Sequence, residues 1–169
     1  MKKIFVNFLF VLICCLFTVP CFAKVNPADF QIAGLKLGDT VKDLHRAYGK
    51  PLYCKPAGDD YQLCYYSMNG CTVYFRIYNN KIVEGIFSTD DTGLGTEGGI
   101  SYGSTIENVK NAYGEPNYAG LDENLDSPFY KKFGYDYSCN DDNYQYILRL
   151  TIENDKVTGF YLNRYPILG

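Results

Sequence analysis

Apolar and polar positions alternate most cleanly between Cys71 and Tyr78. Cys71, Val73, Phe75 and Ile77 fall on one face, and Thr72, Tyr74, Arg76 and Tyr78 on the other. Period-two alternation predicts a strand with one covered face. Around it, Tyr61 to Tyr66 reads as a strand, Ser67-Met68-Asn69-Gly70 as a hairpin turn, Asn79-Asn80-Lys81 as a second turn and Ile82 to Phe87 as a third strand. The pattern recurs at an offset of 75: Leu148, Leu150 and Ile152 match Val73, Phe75 and Ile77, and Asn154-Asp155-Lys156-Val157 matches Asn79-Asn80-Lys81-Ile82.

Ahead of each strand run the period lengthens. Residues 37–51, from Leu37-Gly38-Asp39-Thr40 to Tyr48-Gly49-Lys50-Pro51, return 65 residues later as 102–116, from Tyr102-Gly103-Ser104-Thr105 to Tyr113-Gly114-Glu115-Pro116. Val41, Leu44 and Tyr48, matched by Ile106, Val109 and Tyr113, give the stripe of a short amphipathic helix. Asp39 and Ser104 are the predicted N-caps, Ser104 and Glu107 a capping box, Gly49 and Gly114 the C-terminal turns, and Pro51 and Pro116 the stops. Helices this short need a surface to dock on. The expected fold class is therefore α+β: two tandem repeats, each a short helix packed on an antiparallel β-meander, with the helices on one face of the sheet.

The organisation that follows is a secretory leader at 1–23, a first repeat at 24–87, a Gly-rich solvated linker at 88–99 and a second repeat at 100–169. The leader rests on Lys2 and Lys3, the apolar run Ile4 to Val19 and the small residues flanking Phe22. No membrane insertion is expected once it is removed, because the apolar run falls short of about 20 residues. Its two lysines leave 14 of the 16 Lys and Arg against 19 acids, a net charge of −5. An acidic surface disfavours nucleic acid and anionic membranes, so the expected partner is another envelope or extracellular protein. The loop 117–134, longer than its counterpart, is the natural place for something specific to this chain.

Three of seven cysteines belong to the leader, leaving Cys54, Cys64, Cys71 and Cys139. In an exported chain these read as disulfide formers. Cys54 and Cys64 bracket one polar loop, and the others either pair as Cys71–Cys139 or stay free. Their spacing does not suit a metal site, and no cofactor motif is present. Catalysis finds little support: His45 is the only histidine and sits beside the helix stripe. The acid pairs Asp59-Asp60, Asp90-Asp91 and Asp141-Asp142 lie in turn-like stretches. A non-enzymatic role is expected.

The Gly-Asp/Ser-Thr entry, apolar stripe, Ala-Tyr-Gly-x-Pro exit and closing Asn-x-Lys-Val/Ile turn resemble the BamE/SmpA-type and β-lactamase inhibitory protein fold. The tandem copy and the Cys54/Cys64 pair resemble the inhibitory protein in particular. The resemblance implies helices on one side of an antiparallel sheet and a partner protein on the other. The inhibitory protein carries an acid after the glycine of its first hairpin, whereas Gly70 here is followed by Cys71, so no inhibitory residue is carried over. All 17 tyrosines lie beyond the leader. Tyrosine and arginine dominate binding energy at protein interfaces, so Tyr74, Arg76, Tyr78 and, at the same parity in the second copy, Arg149 form the expected contact surface. The same tyrosines also admit a small ligand or a cell-wall carbohydrate, and a secreted enzyme inhibitor is a further alternative.

Overall fold

The structure, a computed structural model, describes residues 25–125 and 127–167. The predicted leader lies outside the described residues. The described chain opens with a 3-10 turn at Pro27–Asp29, followed by a short antiparallel pair, β1 (Gln31–Ile32) and β2 (Leu35–Lys36). Helix α1 (Val41–Tyr48) then leads into β3 (Tyr53–Pro56), β4 (Tyr61–Met68), β5 (Cys71–Tyr78) and β6 (Ile82–Ser88). Helix α2 (Ile106–Tyr113) leads into β7 (Tyr118–Leu121), β8 (Phe133–Asn140), β9 (Tyr144–Glu153) and β10 (Lys156–Pro166). Strands β3 to β10 form one antiparallel sheet of eight, in the order β3-β4-β5-β6-β10-β9-β8-β7.

This arrangement overturns the expected α+β fold of two helix-on-meander repeats. The described residues are mostly β, with two α-helices of eight residues each among them. The strands do not make two sheets, because β6 and β10 pair at their shared centre, from Phe160 opposite Ser88 to Asn163 opposite Gly85. Backbone pairing at that junction closes the open edge that each half would otherwise present. The outermost strands, β3 and β7, carry no alternating pattern and were not anticipated.

The helix caps also differ from expectation, by one residue. Thr40, not Asp39, caps α1: its hydroxyl accepts from the Asp43 amide and the Asp43 carboxylate accepts from the Thr40 amide, both at 3.2 Å. Thr105, not Ser104, caps α2 through the same exchange with Asn108, again at 3.2 Å. The cause is backbone pairing just upstream. Gly38 donates to the Val83 carbonyl and Val83 to that of Asp39, while Gly103 and Ser104 do the same with Val157. With those residues held extended, Asp39 and Ser104 accept instead from the amides of Lys36 and Ser101. The next residue is left to start the helix.

The core lies between the sheet's inner face and the helices. Val73, Phe75, Ile77, Ile86, Leu148, Leu150, Phe160 and Leu162 pack with Leu44 and Val109 of the helices, all at 2% exposure or less. Phe30, Ile32, Leu35 and Leu37 of the N-terminal segment complete the cover. The predicted solvated linker is a further correction. Thr92, Leu94 and Thr96 are buried, Leu94 and Ile100 join the core, and the Tyr113 hydroxyl donates to Thr96. Alternation within that segment hides every second side chain even though its composition is polar and Gly-rich.

Tyrosine supplies part of this core. Tyr66, Tyr113 and Tyr137 are fully buried. Burial pushes the Tyr66 and Tyr146 phenols up to about 12, and raises Tyr137 as well. A phenol that holds its proton more tightly folded than unfolded contributes stability that is whole below its ordinary value of about 10. That contribution is lost as pH rises through the raised value. Burial likewise holds the proton of the Cys139 thiol. Unfolding by urea, followed from about pH 8 to about pH 12, should therefore show stability falling from about pH 9, and more steeply beyond about pH 10 as the phenols join. A flat profile over that upper range would mean that these hydroxyls ionise freely in the folded protein.

Candidate functional site

The outer face of the sheet is organised by register. One row of directly opposed residues crosses all eight strands: Tyr53, Tyr65, Tyr74, Phe87, Tyr161, Arg149, Asp136 and Tyr118. Tyr53 stacks on Tyr65 with ring centroids 4.1 Å apart, and Tyr65 meets Tyr74 edge-on at 4.8 Å. Phe87 meets Tyr161 at 4.8 Å. The next row runs Leu63, Arg76, Gly85, Asn163, Ile147 and Ser138. Beyond it Tyr61 and Tyr78 oppose each other at 5.2 Å.

The two halves of this face differ in cover. Over β8, β9 and β10 the loop between β7 and β8 folds back onto the sheet. Phe129 is 1% exposed, lies against the Tyr161 ring at 6.1 Å, and occupies the space above Gly159 that a side chain there would fill. The loop is tied by Ser127 donating to Asp122 at 2.6 Å and by backbone bonds between Asp122 and the Lys131–Lys132 turn. Over β3, β4 and β5 no described segment does the same. The corresponding connection is short, and Cys54 and Cys64, directly opposed across β3 and β4, are joined as a disulfide.

Each expected contact residue can now be placed. Tyr74, Arg76 and Tyr78 are half-buried on the uncovered half. Arg149 shares their face but is only 6% exposed, because the loop closes over it. Its guanidinium grips Asp136 at 2.7 Å and donates to the Gly120 carbonyl at 2.9 Å. Burial raises the Asp136 carboxyl despite this partner. Arg149 is therefore placed to hold the covering loop rather than to meet a partner. Thr151, two residues further along the same face of β9, is buried as well.

Four further residues of the open half were not anticipated: Tyr53, Lys55, Tyr61 and Tyr165. The first two were legible in principle. Opposing Cys54 to Cys64 puts Tyr53 and Lys55 on the face shared by Tyr65, and the Lys55 ammonium sits 5.3 Å from the Tyr65 ring centroid. Tyr165 comes from the far end of β10, and no local pattern announces it. Cys71 and Cys139 are both free, so of the two expected alternatives the Cys71–Cys139 pairing is overturned and the free pair is the one present. They lie on different strands, β5 and β8, that are not neighbours in the sheet.

Elsewhere the structure is sparse in chemistry. Among the described residues no group of three or more His, Cys, Asp or Glu is gathered as a metal site would require. His45 is exposed at the lip of a cleft of about 160 Å³ between α1 and the disulfide, where the buried Tyr66 hydroxyl has no protein partner. A shallower groove near Tyr102, Glu153 and Lys156 lies off the tyrosine face.

No family model and no curated protein matches the chain. Solved structures do. A cysteine-rich secretory protein from Staphylococcus aureus superposes with a TM-score of 0.54 at 12% identity, covering 82% of this chain and 46% of that one. An extracellular protein containing an SCP domain, from Bacillus anthracis, gives 0.53 at 13% identity, covering 83% and 48%. This chain thus spans about half the length of either, and at such identities the likeness concerns the fold alone. A candidate β-lactamase inhibitor protein from Streptococcus mutans is matched over 92% of this chain and 96% of that one at 12% identity, with a TM-score of 0.29, too low to carry an argument. None of the three is a BamE/SmpA-type protein.

The division of the face generates a test. Arg149→Ala should cost roughly 3 kcal/mol, the lower part of the range for a broken buried ion pair, since Asp136 keeps 25% exposure. Tyr74→Ser and Tyr78→Ser should each cost only about 1 kcal/mol. Urea unfolding of the three variants compares them directly. An Arg149→Ala protein as stable as the tyrosine variants would mean that the loop does not depend on this arginine.

Proposed function

We propose that the chain is an exported, non-enzymatic protein-binding module of the bacterial cell envelope, secreted or periplasmic. Its contact surface is the uncovered half of the outer sheet face. The observation that carries this reading is the aromatic platform of Tyr53, Tyr61, Tyr74 and Tyr78, exposed or half-buried and braced on the buried Tyr65, beside a half already sealed by Phe129. Tyrosine offers a large amphipathic contact area with few rotors to freeze, and here cross-strand packing fixes those rotors before any partner arrives. Contiguous aromatic surface rimmed by polar residues is the kind that marks association sites. Export is supported by the Cys54–Cys64 disulfide and by the secretory and extracellular descriptions of the two proteins that share the fold.

The test places a photo-crosslinking amino acid at position 74 or 78 in the producing cell, with position 102 as an exposed control off this face. The expected result is a discrete protein adduct at 74 and 78 and none at 102. Tyr74→Ser with Tyr78→Ser should weaken binding to the captured protein at least tenfold, or about 1.4 kcal/mol. If neither face position yields an adduct while the purified protein binds isolated wall glycan through the same tyrosines, the surface is a carbohydrate site and the protein-binding reading is wrong.

A further inference from the structure

Three arginines project from the central strands, and they differ in one respect. Arg149 is paired with Asp136 at 2.7 Å, and Arg164 with Glu84 at 3.4 Å. Arg76, on the open half, has no described carboxylate within ion-pair distance. Its Nη2 donates to Asn163 Oδ1 at 2.6 Å, across Gly85, whose missing side chain leaves the path clear. Asn163 is fully buried and anchored in turn by donating to the Tyr161 hydroxyl at 2.8 Å. The guanidinium lies 4.9 Å from the Tyr61 ring centroid and 5.5 Å from that of Tyr165. Its Nε is shielded from solvent and unpartnered.

A guanidinium held between two aromatic rings is oriented but not neutralised. With Nε shut off from solvent and Nη2 engaged by Asn163, Nη1 is the group left for an acceptor from outside, and a carboxylate suits a planar guanidinium. Glu84, which borders it through Tyr61, has both oxygens engaged, one by the Tyr61 hydroxyl and one by Arg164. At the outer-face register positions of β3 to β6 the charged residues are Lys55 and Arg76, both cationic. Beside Glu84, the acids that flank these strands, Asp59, Asp60, Asp90 and Asp91, lie past the strand ends. Burial first, then Tyr65 and then Asp90 raise the Tyr74 phenol, so Asp90 stands near enough to act on that ring. On a chain whose net charge is negative, this is a local positive site framed by tyrosine.

We infer that the open face takes an acidic side chain, an aspartate or glutamate on a loop of the partner protein, seated on Arg76 between Tyr61 and Tyr165 with Lys55 attracting it from the edge of the sheet. The inference rests on the protein-binding reading of this face and names the chemistry of the occupant. A free carboxylate would be held weakly by one arginine. A loop that also covers the tyrosines gains contact area and excludes water, which strengthens the ion pair.

The test pans a displayed library of disulfide-closed loop peptides against the immobilised full chain. Binders to this face are those weakened at least tenfold by Tyr74→Ser with Tyr78→Ser. Among them, changing a single Asp or Glu to Asn or Gln should weaken binding to the wild-type chain at least tenfold, and Arg76→Gln should do the same. Combining the peptide change with Arg76→Gln should add little further loss. The peptide change needs no altered protein, so the test survives even if Arg76→Gln misfolds. Face binders that tolerate loss of every acid would overturn this inference and leave the protein-binding reading intact. A panning that yields no binder to this face would overturn both.

Discussion

The structure depends on the pairing of β6 with β10. Four registered pairs, Ser88 with Phe160 through Gly85 with Asn163, join strands that end the two halves of the chain. The junction brings Ile86 and Phe160 into one core and makes the outer-face row continuous across eight strands. Such long-range pairing costs loop-closure entropy before it returns any contact, so its residues must contribute strongly once formed. Phe87 against Tyr161 on one face and Ile86, Phe160 and Leu162 on the other do so.

From that junction outward the outer face follows two solutions to the same problem. An antiparallel sheet buries one face readily, and the other must be covered or remain wet. Over β8 to β10 this chain folds its own loop down, with Phe129 as the plug and Arg149 with Asp136 and Asp122 as the tie. Over β3 to β5 it spends its residues on packed tyrosines instead. The contrast between Arg149 and Arg76 follows: where the chain supplies the cover it supplies the carboxylate as well, and where it supplies neither the arginine waits in a frame of rings. The asymmetry arises from the loop lengths, since the rows of the sheet run through both halves.

Much of this was legible in the residues. The alternation from Cys71 to Tyr78 located β5 to the residue, and the Asn-containing turns fell where Asn69, Asn79, Asn80 and Asn154 adopt the left-handed conformation a tight hairpin needs. The Cys54–Cys64 pairing was read from spacing alone and is present. What failed did so for non-local reasons. The helix caps moved by one residue because strands distant in sequence bind the chain just before them. A polar, Gly-rich composition reads as a solvated linker, whereas Thr92, Leu94 and Thr96 are buried and Thr96 accepts from Tyr113 of α2. Arg149 was assigned to the open face by parity, which was correct for its side of the sheet. Parity could not show that a loop some twenty residues upstream covers it. The merging of the halves into one sheet was invisible for the same reason: no local pattern states which strand a terminal strand will choose.

A protein partner has two routes to a sheet, its edge or its face, and the strand ends here argue for the face. Adding a strand to an edge requires a regular, accessible run of unpaired backbone groups. Both edges are short: β3 and β7 have four residues each. On β3 the run contains Pro56, which lacks an amide to donate, beside Lys55, and Cys54 ties it to β4. These are the features by which sheets avoid edge-to-edge association. The face between them is the opposite case. Its rings are wedged against one another across strands, so little side-chain freedom remains to be lost on contact, and Arg76, with no described carboxylate within ion-pair distance, is braced on the buried Asn163. On the protein-binding reading, short edges and a pre-ordered centre favour a partner that lies across the strands over one that extends the sheet.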